Sequence, residues 1–389
     1  MKCLYITPFN PYPARSGGAL LTDLMLRKIG ARCPIDVATF ADSTDYSPYP
    51  GVESVTRFRK DPLYRLRALL GKFPESLERH TDPDLERLVL TGRYTHVFCD
   101  SFTPVLNLLR PPDSRREAGA YRTILLSHNV ESQVERENVQ YDAKRFPWHK
   151  RKILSRDVER MERAEAALLS RFDRVLSVSE HETRIMKERC GCEDNVRTLP
   201  VSFGAKGTGV PENRTPDTIL FAGSMWWLPN RHGLAWFFEN CWEGILAARP
   251  AARVILAGND KSGFARGMAQ RYPNVTATGF VEDIEPFFRQ ASVFILPLLI
   301  GTGIKIKLIE AMGWGLPVVS TPKGVEGVPG FEKGRHALVG EDPLDFAKAV
   351  IHLLQTPDLR ERMAREALSW TKSSEKALES LLDEVFCDA

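Results

Sequence analysis

The sequence predicts an α/β protein of two similar halves, each a parallel sheet with helices on both faces. Three observations carry this. Short apolar runs such as Thr123–Ser127 (TILLS), Thr218–Ala222 (TILFA) and Ala291–Leu299 (ASVFILPLL) alternate with longer amphipathic stretches. That is the pattern of strands buried on both faces and joined by crossover helices. The alternation breaks at Phe203–Pro216 (FGAKGTGVPENRTP), a Gly-, Pro- and polar-rich segment, and then restarts. The length, 389 residues, suits two domains.

In the first half, Lys2–Thr7 reads as a buried strand and Ala19–Ile29 (ALLTDLMLRKI) has helical spacing. Ile35–Phe40 and Thr95–Cys99 are further strands, and Thr123–Ser127 ends at His128-Asn129. Lys150–Phe172 is a long charged amphipathic helix, and Arg174–Val178 is the next strand. After the linker come a strand at Thr218–Ala222, a helix at Gly233–Trp242, and strands at Arg253–Ala257 and Val275–Thr278. A helix at Ile284–Gln290, a strand at Ser292–Pro297, a helix at Lys305–Met312, and strands at Pro317–Ser320 and Ala337–Val339 follow. Pro343–Gln355, Pro357–Trp370 and Glu375–Phe386 read as helices. The expected domains are 1–205 and 206–372, with helix 375–386 able to join the first.

Composition narrows the function. Hydrophobic residues are 43% and charged residues 26% of the chain, and the net charge of +3 is too small to argue for nucleic acid. No run approaches the roughly 18 apolar residues of a membrane span, and the apolar start MKCLYITPFNPYP is too short for a signal peptide. The seven cysteines are scattered and lack C-x-x-C pairs, Cys190-Gly191-Cys192 being the closest approach. They read as reduced thiols of a cytoplasmic protein with no metal site.

Five places carry candidate chemistry. Gly301-Thr302-Gly303 follows an apolar strand and leads into a helix bearing Lys305, Lys307 and Glu310. Strand, glycine turn and helix aim backbone N–H groups and a helix dipole at an anion. Two lysines at a helix N-terminus are electrostatically out of place, and a bound phosphate or diphosphate removes the conflict. Glu310 shares a helix face with Lys307, so the ligand expected is one with phosphates and hydroxyls, as in a nucleotide-sugar. Ser320–Val328 (STPKGVEGV) is a second glycine-bearing loop at a strand's carboxyl end, and two such loops build the rim of a cleft. Ser16-Gly17-Gly18 opens a helix after the first strand, preceded by Pro11 and Pro13, and lets a ligand approach the backbone. His128 ends a strand and is placed to meet a sugar hydroxyl. In Gly223–Arg231 (GSMWWLPNR), Arg231 is the cation available to a diphosphate and Asn230 a candidate helix cap; the two tryptophans read as domain packing.

Two further features have simpler readings. Asp82-Pro83-Asp84 resembles a metal-binding D-x-D, but a helical pattern follows it, so a helix cap is expected. The stretches Arg57–Lys72 and Lys144–Arg156 mix cations with Leu, Phe, Tyr and Trp. They are either solvated faces or a peripheral contact with an anionic membrane surface.

Taken together, these residues resemble a glycosyltransferase of the GT-B fold, two Rossmann-like domains facing each other across a cleft. The chain is similar to the large retaining family 4, whose members elongate bacterial surface glycans and glycolipids. The match is strongest over Thr218–Val328. The resemblance places a glycine loop at Gly17-Gly18 and a histidine close to the transferred sugar at His128. It places the second glutamate of the family's paired signature at Glu310-Ala311-Met312, on the ribose hydroxyls. Thr302 stands where the first glutamate is usual, and Ser224 stands near the usual arginine. The lysine position falls by Asn230 or Arg231, which leaves Lys307, with Lys305, to supply that charge. Gly303, Ile304 and the helix dipole complete the diphosphate site, and Phe280-Val281 are candidates for the nucleobase pocket. The activity implied is metal-independent, retaining transfer from a UDP- or GDP-linked sugar to a glycan, glycolipid or small-molecule acceptor, in the cytoplasm or at the inner face of the membrane. No cofactor is implied beyond the nucleotide-sugar co-substrate. A sugar-nucleotide epimerase on the same fold and a non-catalytic nucleotide-sugar-binding subunit are the alternatives.

Overall fold

A computed structural model describes residues 1–12, 14, 16–42, 46–109, 121–142, 148–191, 194–206 and 214–387. Pro13, Cys192, the linker centre 207–213 and the start of the basic stretch at 144–147 lie outside the described residues. The chain divides into two compact units, Met1–Leu199 with Glu379–Ala389, and Pro200–Leu378.

The first unit is a seven-stranded sheet of β1 (Cys3–Thr7), β2 (Ile35–Thr39), β3 (Val52–Arg57), β4 (His96–Asp100), β5 (Arg122–Ser127), β6 (Arg174–Ser177) and β7 (Val196–Thr198). Their order is β3-β2-β1-β4-β5-β6-β7, and every neighbouring pair is parallel. Every residue of β1 and β4 is buried, which explains the apolar runs Cys3–Ile6 and Val97–Cys99. Edge strand β3 is largely exposed and polar, and the expectations above contain no strand there. Leu4, Ile6, Val97 and Leu125 pack with Leu85, Leu106, Met161 and Leu168 from the helices in one core.

The second unit is a six-stranded sheet of β8 (Thr218–Ala222), β9 (Arg253–Ala257), β10 (Val275–Gly279), β11 (Val293–Leu296), β12 (Val318–Ser320) and β13 (Leu338–Val339). The order is β10-β9-β8-β11-β12-β13, again parallel throughout. Its core contains a column of stacked rings: Trp314 on Phe288, Phe288 on Phe294 and Phe294 on Phe221, with centroids 6.0, 5.8 and 6.4 Å apart. Arg289 lies over the Trp314 end and Lys307 over the Phe221 end.

Both sheets reverse direction once, between β1 and β4 and between β8 and β11. Where the order reverses, flanking helices leave to opposite faces and open a crevice at the strands' carboxyl ends. The candidate residues cluster at these two points.

Asp82 caps the helix Pro83–Thr91 by accepting from the Asp84 N–H, as expected. The helices expected at Pro357–Trp370 and Glu375–Phe386 are one 31-residue helix, Pro357–Cys387. Lys372-Ser373-Ser374 contains no Gly or Pro, and nothing there stops the helix. Among the described residues, no helix is long and apolar enough to cross a membrane.

Candidate functional site

In the first unit the crevice is built around Asp100, the fully buried last residue of β4. Its Oδ2 accepts from Thr7 Oγ1 at 2.8 Å and from Thr22 Oγ1 at 2.6 Å. Its Oδ1 accepts from His128 Nε2 at 2.5 Å. Three donors make a buried carboxylate tolerable. The carboxylate in turn fixes the imidazole, leaving Nδ1 as the ring nitrogen available to a ligand. Phe9, on the loop after β1, stacks on the imidazole with centroids 5.1 Å apart.

Gly17 and Gly18 open the helix Gly17–Gly30, whose N-cap Ser16 accepts from Ala19 N–H. A Cβ at Gly18 would lie 3.0 Å from the Phe9 ring and 3.4 Å from His128 Nδ1, so a side chain there would press on the ring pair. Ser101, directly after Asp100, holds φ at 83° with its N–H on the Leu126 carbonyl. A non-glycine residue in the left-handed region is strained, and such strain concentrates at working sites.

Behind His128, buried polar groups hold the start of the helix Glu131–Asp142. Val130 N–H donates to Glu182, and Ser132 Oγ and Arg189 donate to Glu165. Burial, with Glu165, Glu135 and Glu182 nearby, pushes the Glu131 carboxyl up to about 8.

In the second unit the crevice lies between the loops after β8 and β11. The turn after β11 takes positive φ at Gly301 (112°) and Gly303 (69°), around Thr302. Lys305, 7% exposed, is the residue just before the helix Ile306–Gly313. Its Nζ turns back and donates to the carbonyls of Gly301, Thr302 and Gly303. This corrects the expectation of direct contact between Lys305 and a diphosphate: three carbonyls already surround its ammonium, which acts on the site through its charge. Among the described residues, the backbone N–H groups of Gly301, Thr302, Gly303 and Ile304 have no hydrogen-bond partner. With the carbonyls drawn to Lys305, the turn is a nest of donors.

Lys307 is partly buried, lies 5.2 Å over the Phe221 ring, and donates to Asn230 Oδ1. Asn230 Nδ2 donates to the Ser224 carbonyl at 2.8 Å. Asn230 is therefore not a helix cap. The helix begins at Leu228, with Pro229 in its first turn, and Asn230 lies inside it. Burial, with Lys305 adding repulsion, pushes Lys307 down to about 7. Burial raises the Glu310 carboxyl to about 7, against the pull of Lys206 and Lys307. Two opposite groups on one helix face are thus both poised to titrate near neutrality.

The second unit brings Ser224, Lys307 and the 301–304 turn to one crevice. Arg231 lies on the helix Leu228–Asn240, partly buried and without a side-chain partner among the described residues. Phe280 and Val281 follow β10, two strands from β8, with Phe280 53% exposed. Trp226 and Trp227 lean edge-on against each other at 6.1 Å and stay about half exposed. Sequence reading missed Asp100, Thr7, Thr22 and Phe9. The one available signal was an acid ending an otherwise apolar strand, Val97-Phe98-Cys99-Asp100.

Comparison with known proteins adds three findings. Residues 216–356 match the family model described as glycosyl transferases group 1. Over 98% of its length the chain is 22% identical to an uncharacterised 44.6 kDa protein in the cps region of Klebsiella pneumoniae, 99% of which is covered. Among solved structures, Anabaena HepE in complex with UDP and glucose is similar over 100% of both chains, with a TM-score of 0.69 at 14% identity. Sucrose-phosphate synthase from Thermosynechococcus elongatus is similar over 100% of this chain and 98% of its own, with a TM-score of 0.69 at 16% identity. At these identities the likeness shows the fold: two Rossmann-like α/β domains, as in GT-B glycosyltransferases.

Proposed function

We infer that this protein is a group 1 glycosyltransferase that moves a sugar from a nucleoside diphosphate sugar to a glycan, glycolipid or small-molecule acceptor. The observation that carries the reading is the donor nest at 301–304. It consists of four N–H groups, unpartnered among the described residues, on a turn whose carbonyls are tied back, with Lys307 in the next helical turn. It lies inside the segment that matches the family model. In this reading the nest and Lys307 take the diphosphate and Glu310 takes the ribose hydroxyls. As the sugar leaves, the negative charge that develops on the diphosphate meets preorganised donors. His128 works on a sugar hydroxyl: Nε2 is committed to Asp100, so Nδ1 accepts when the ring is neutral and donates when it is protonated.

Transfer then retains the anomeric configuration and needs no metal ion. NMR of the first-formed anomer, and turnover in EDTA against turnover with Mg2+, test these two points. The cps-region relative and the UDP-bound neighbour support UDP-linked donors and surface polysaccharide synthesis.

Thermal shift against UDP, GDP and their sugars tests the site, because a ligand bound to the native state raises the melting temperature by mass action. A uridine or guanosine diphosphate should raise it in the wild type and much less in Lys307→Ala. No shift with any nucleoside diphosphate sinks the site assignment. Binding without turnover points to a non-catalytic subunit, and isomerised free sugar without acceptor points to an epimerase.

A further inference from the structure

The stretch Arg57–Lys72 contains six cations and one acid, and four of its residues are leucines. The structure shows where the leucines go. In the helix Tyr64–Leu70 the only fully buried residue is Ala68. Tyr64 and Ala68, four apart, face inward; Leu63, Leu66 and Leu70 form the opposite stripe, with Leu69 beside it. All four leucines are exposed, Leu69 at 66% and Leu70 at 79%. Among the described residues, a third of the exposed large apolar side chains thus fall within eight positions, where single scattered ones are the norm.

The helix is pinned in this attitude. Arg160, nearly buried, donates to the carbonyls of Ala68 at 2.6 Å and Gly71 at 3.0 Å. Arg79 lies over the Tyr64 ring at 5.0 Å and donates to its hydroxyl. The leucines therefore cannot roll inward without breaking these contacts. Arg160 lies on the helix Trp148–Leu168, and Ile153, two turns earlier on the same face, is exposed. Arg151, Lys152 and Arg156 around Ile153 are exposed too, as are Arg59, Lys60 and Lys72 around the leucines. None of these six cations has an ion-pair partner among the described residues.

We propose that this face of the first unit docks on an anionic lipid bilayer, with Leu63, Leu66, Leu69 and Leu70 dipping between headgroups and the cations around them meeting lipid phosphates. Aliphatic side chains ringed by unpaired cations fit that surface on both counts. The helix, at about 10 Å from a rise of 1.5 Å per residue, is too short to span and so lies in the interface. The proposal places the enzyme where a lipid-linked acceptor is found, but it stands on surface chemistry alone and is independent of the nucleotide-sugar reading.

The test is co-sedimentation of the full chain with phosphatidylcholine vesicles, with and without an equal part of phosphatidylglycerol. Binding is expected on the mixed vesicles, little on phosphatidylcholine alone, and release by raised salt. Lys60→Ser with Lys72→Ser should weaken partition roughly twenty-five-fold, at about fivefold per cation. Leu66→Asp with Leu70→Asp should weaken it by at least about tenfold. Both pairs replace exposed residues, and each variant should keep the wild-type melting temperature and its shift with UDP. Absence of binding to the mixed vesicles overturns the proposal, as does equal binding to both vesicle types or wild-type binding by the leucine pair. A wild-type dimer in solution that the leucine pair abolishes would make the occupant a second copy and overturn it equally.

Discussion

Asp100 in the first unit and Lys307 in the second are both ionisable groups at the carboxyl end of a parallel sheet, and they differ in what surrounds them. Asp100 receives three hydrogen bonds from its own unit, from Thr7, Thr22 and His128. Lys307 has one neutral amide oxygen, a ring face, a neighbouring ammonium and the opposing pull of Glu310, and burial lowers its pKa to about 7. The first crevice is finished without a ligand; the second holds a weakly paired amine and, among the described residues, four unpartnered N–H groups that an anion would satisfy. A protein that must hold a sugar in one pose and also bind and release a diphosphate has a use for both designs. Internal partners give rigidity, and unmet donors give affinity.

Mutation should separate the two crevices by the sign of the stability change. His128→Ala is expected to lower transfer by about 10²–10⁴. It should also lower stability by about 1–3 kcal/mol, because Asp100 loses a donor while remaining buried. Steady-state rates and chemical denaturation read the two effects, and an unchanged stability would show that Asp100 is not held as described. Lys307→Met should lower transfer by about 10²–10³ but raise the melting temperature, since it removes a poorly paired buried cation. The sign of the pH dependence follows from the lowered pKa. Between about 7 and the ordinary 10.5 the unfolded lysine holds a proton that the folded one lacks, so wild-type stability rises with pH over that window. The advantage of Lys307→Met should therefore be largest below pH 7 and fade toward pH 10. A melting-temperature difference that grew with pH would contradict this.

Glu310→Gln is a smaller lever. Loss of a charged acceptor for ribose should weaken nucleotide binding about tenfold or more, at roughly 1.5–3 kcal/mol for a charged hydrogen bond. The raised carboxyl works on stability in the other direction. Its stabilising protonated form is complete below about 4.5 and lost as pH rises through about 7. The Gln variant should then gain on wild type above pH 7, which thermal melts across pH would show. The smallest effect expected is protonic. A diphosphate beside Lys307 raises its pKa, so UDP binding just above pH 7 should take up a fraction of a proton. Calorimetry in buffers of different ionisation enthalpy measures it, and uptake should vanish in Lys307→Met.

The sequence showed the sheets better than the crevices. Strands buried on both faces, such as β1, β8 and β11, are unbroken apolar runs and were legible. Edge strand β3 is exposed and carries charge, so no hydrophobic pattern marks it. The helix at Leu228 starts five residues before its expected start at Gly233, because Trp226-Trp227 hides a proline at an ideal N-terminal position. His128 and the 301–304 turn stood out by residue type and position. Asp100 did not, because its role depends on Thr7 and Thr22, residues 93 and 78 positions away in the chain. Lys307, with Lys305 beside it, was expected to supply charge to the diphosphate. Lys305 precedes the first helical residue and reaches back over the turn, whereas Lys307, one residue inside the helix, reaches Asn230.

The helix Pro357–Cys387 crosses from the second unit into the first at Glu379. Its last turns bring Glu379 and Asp383 to Lys28 and Arg32, and Phe386 to His96 and Phe98. The unit that leaves the ribosome first is thus completed by residues translated after all of the second. Until they arrive, His96 and Phe98 of β4 lack the ring that covers them, and the nascent N-terminal unit waits as an unfinished sheet. Any shortening of the helix beyond Leu378 should register as poor yield and aggregation of the N-terminal half before it registers as lost catalysis.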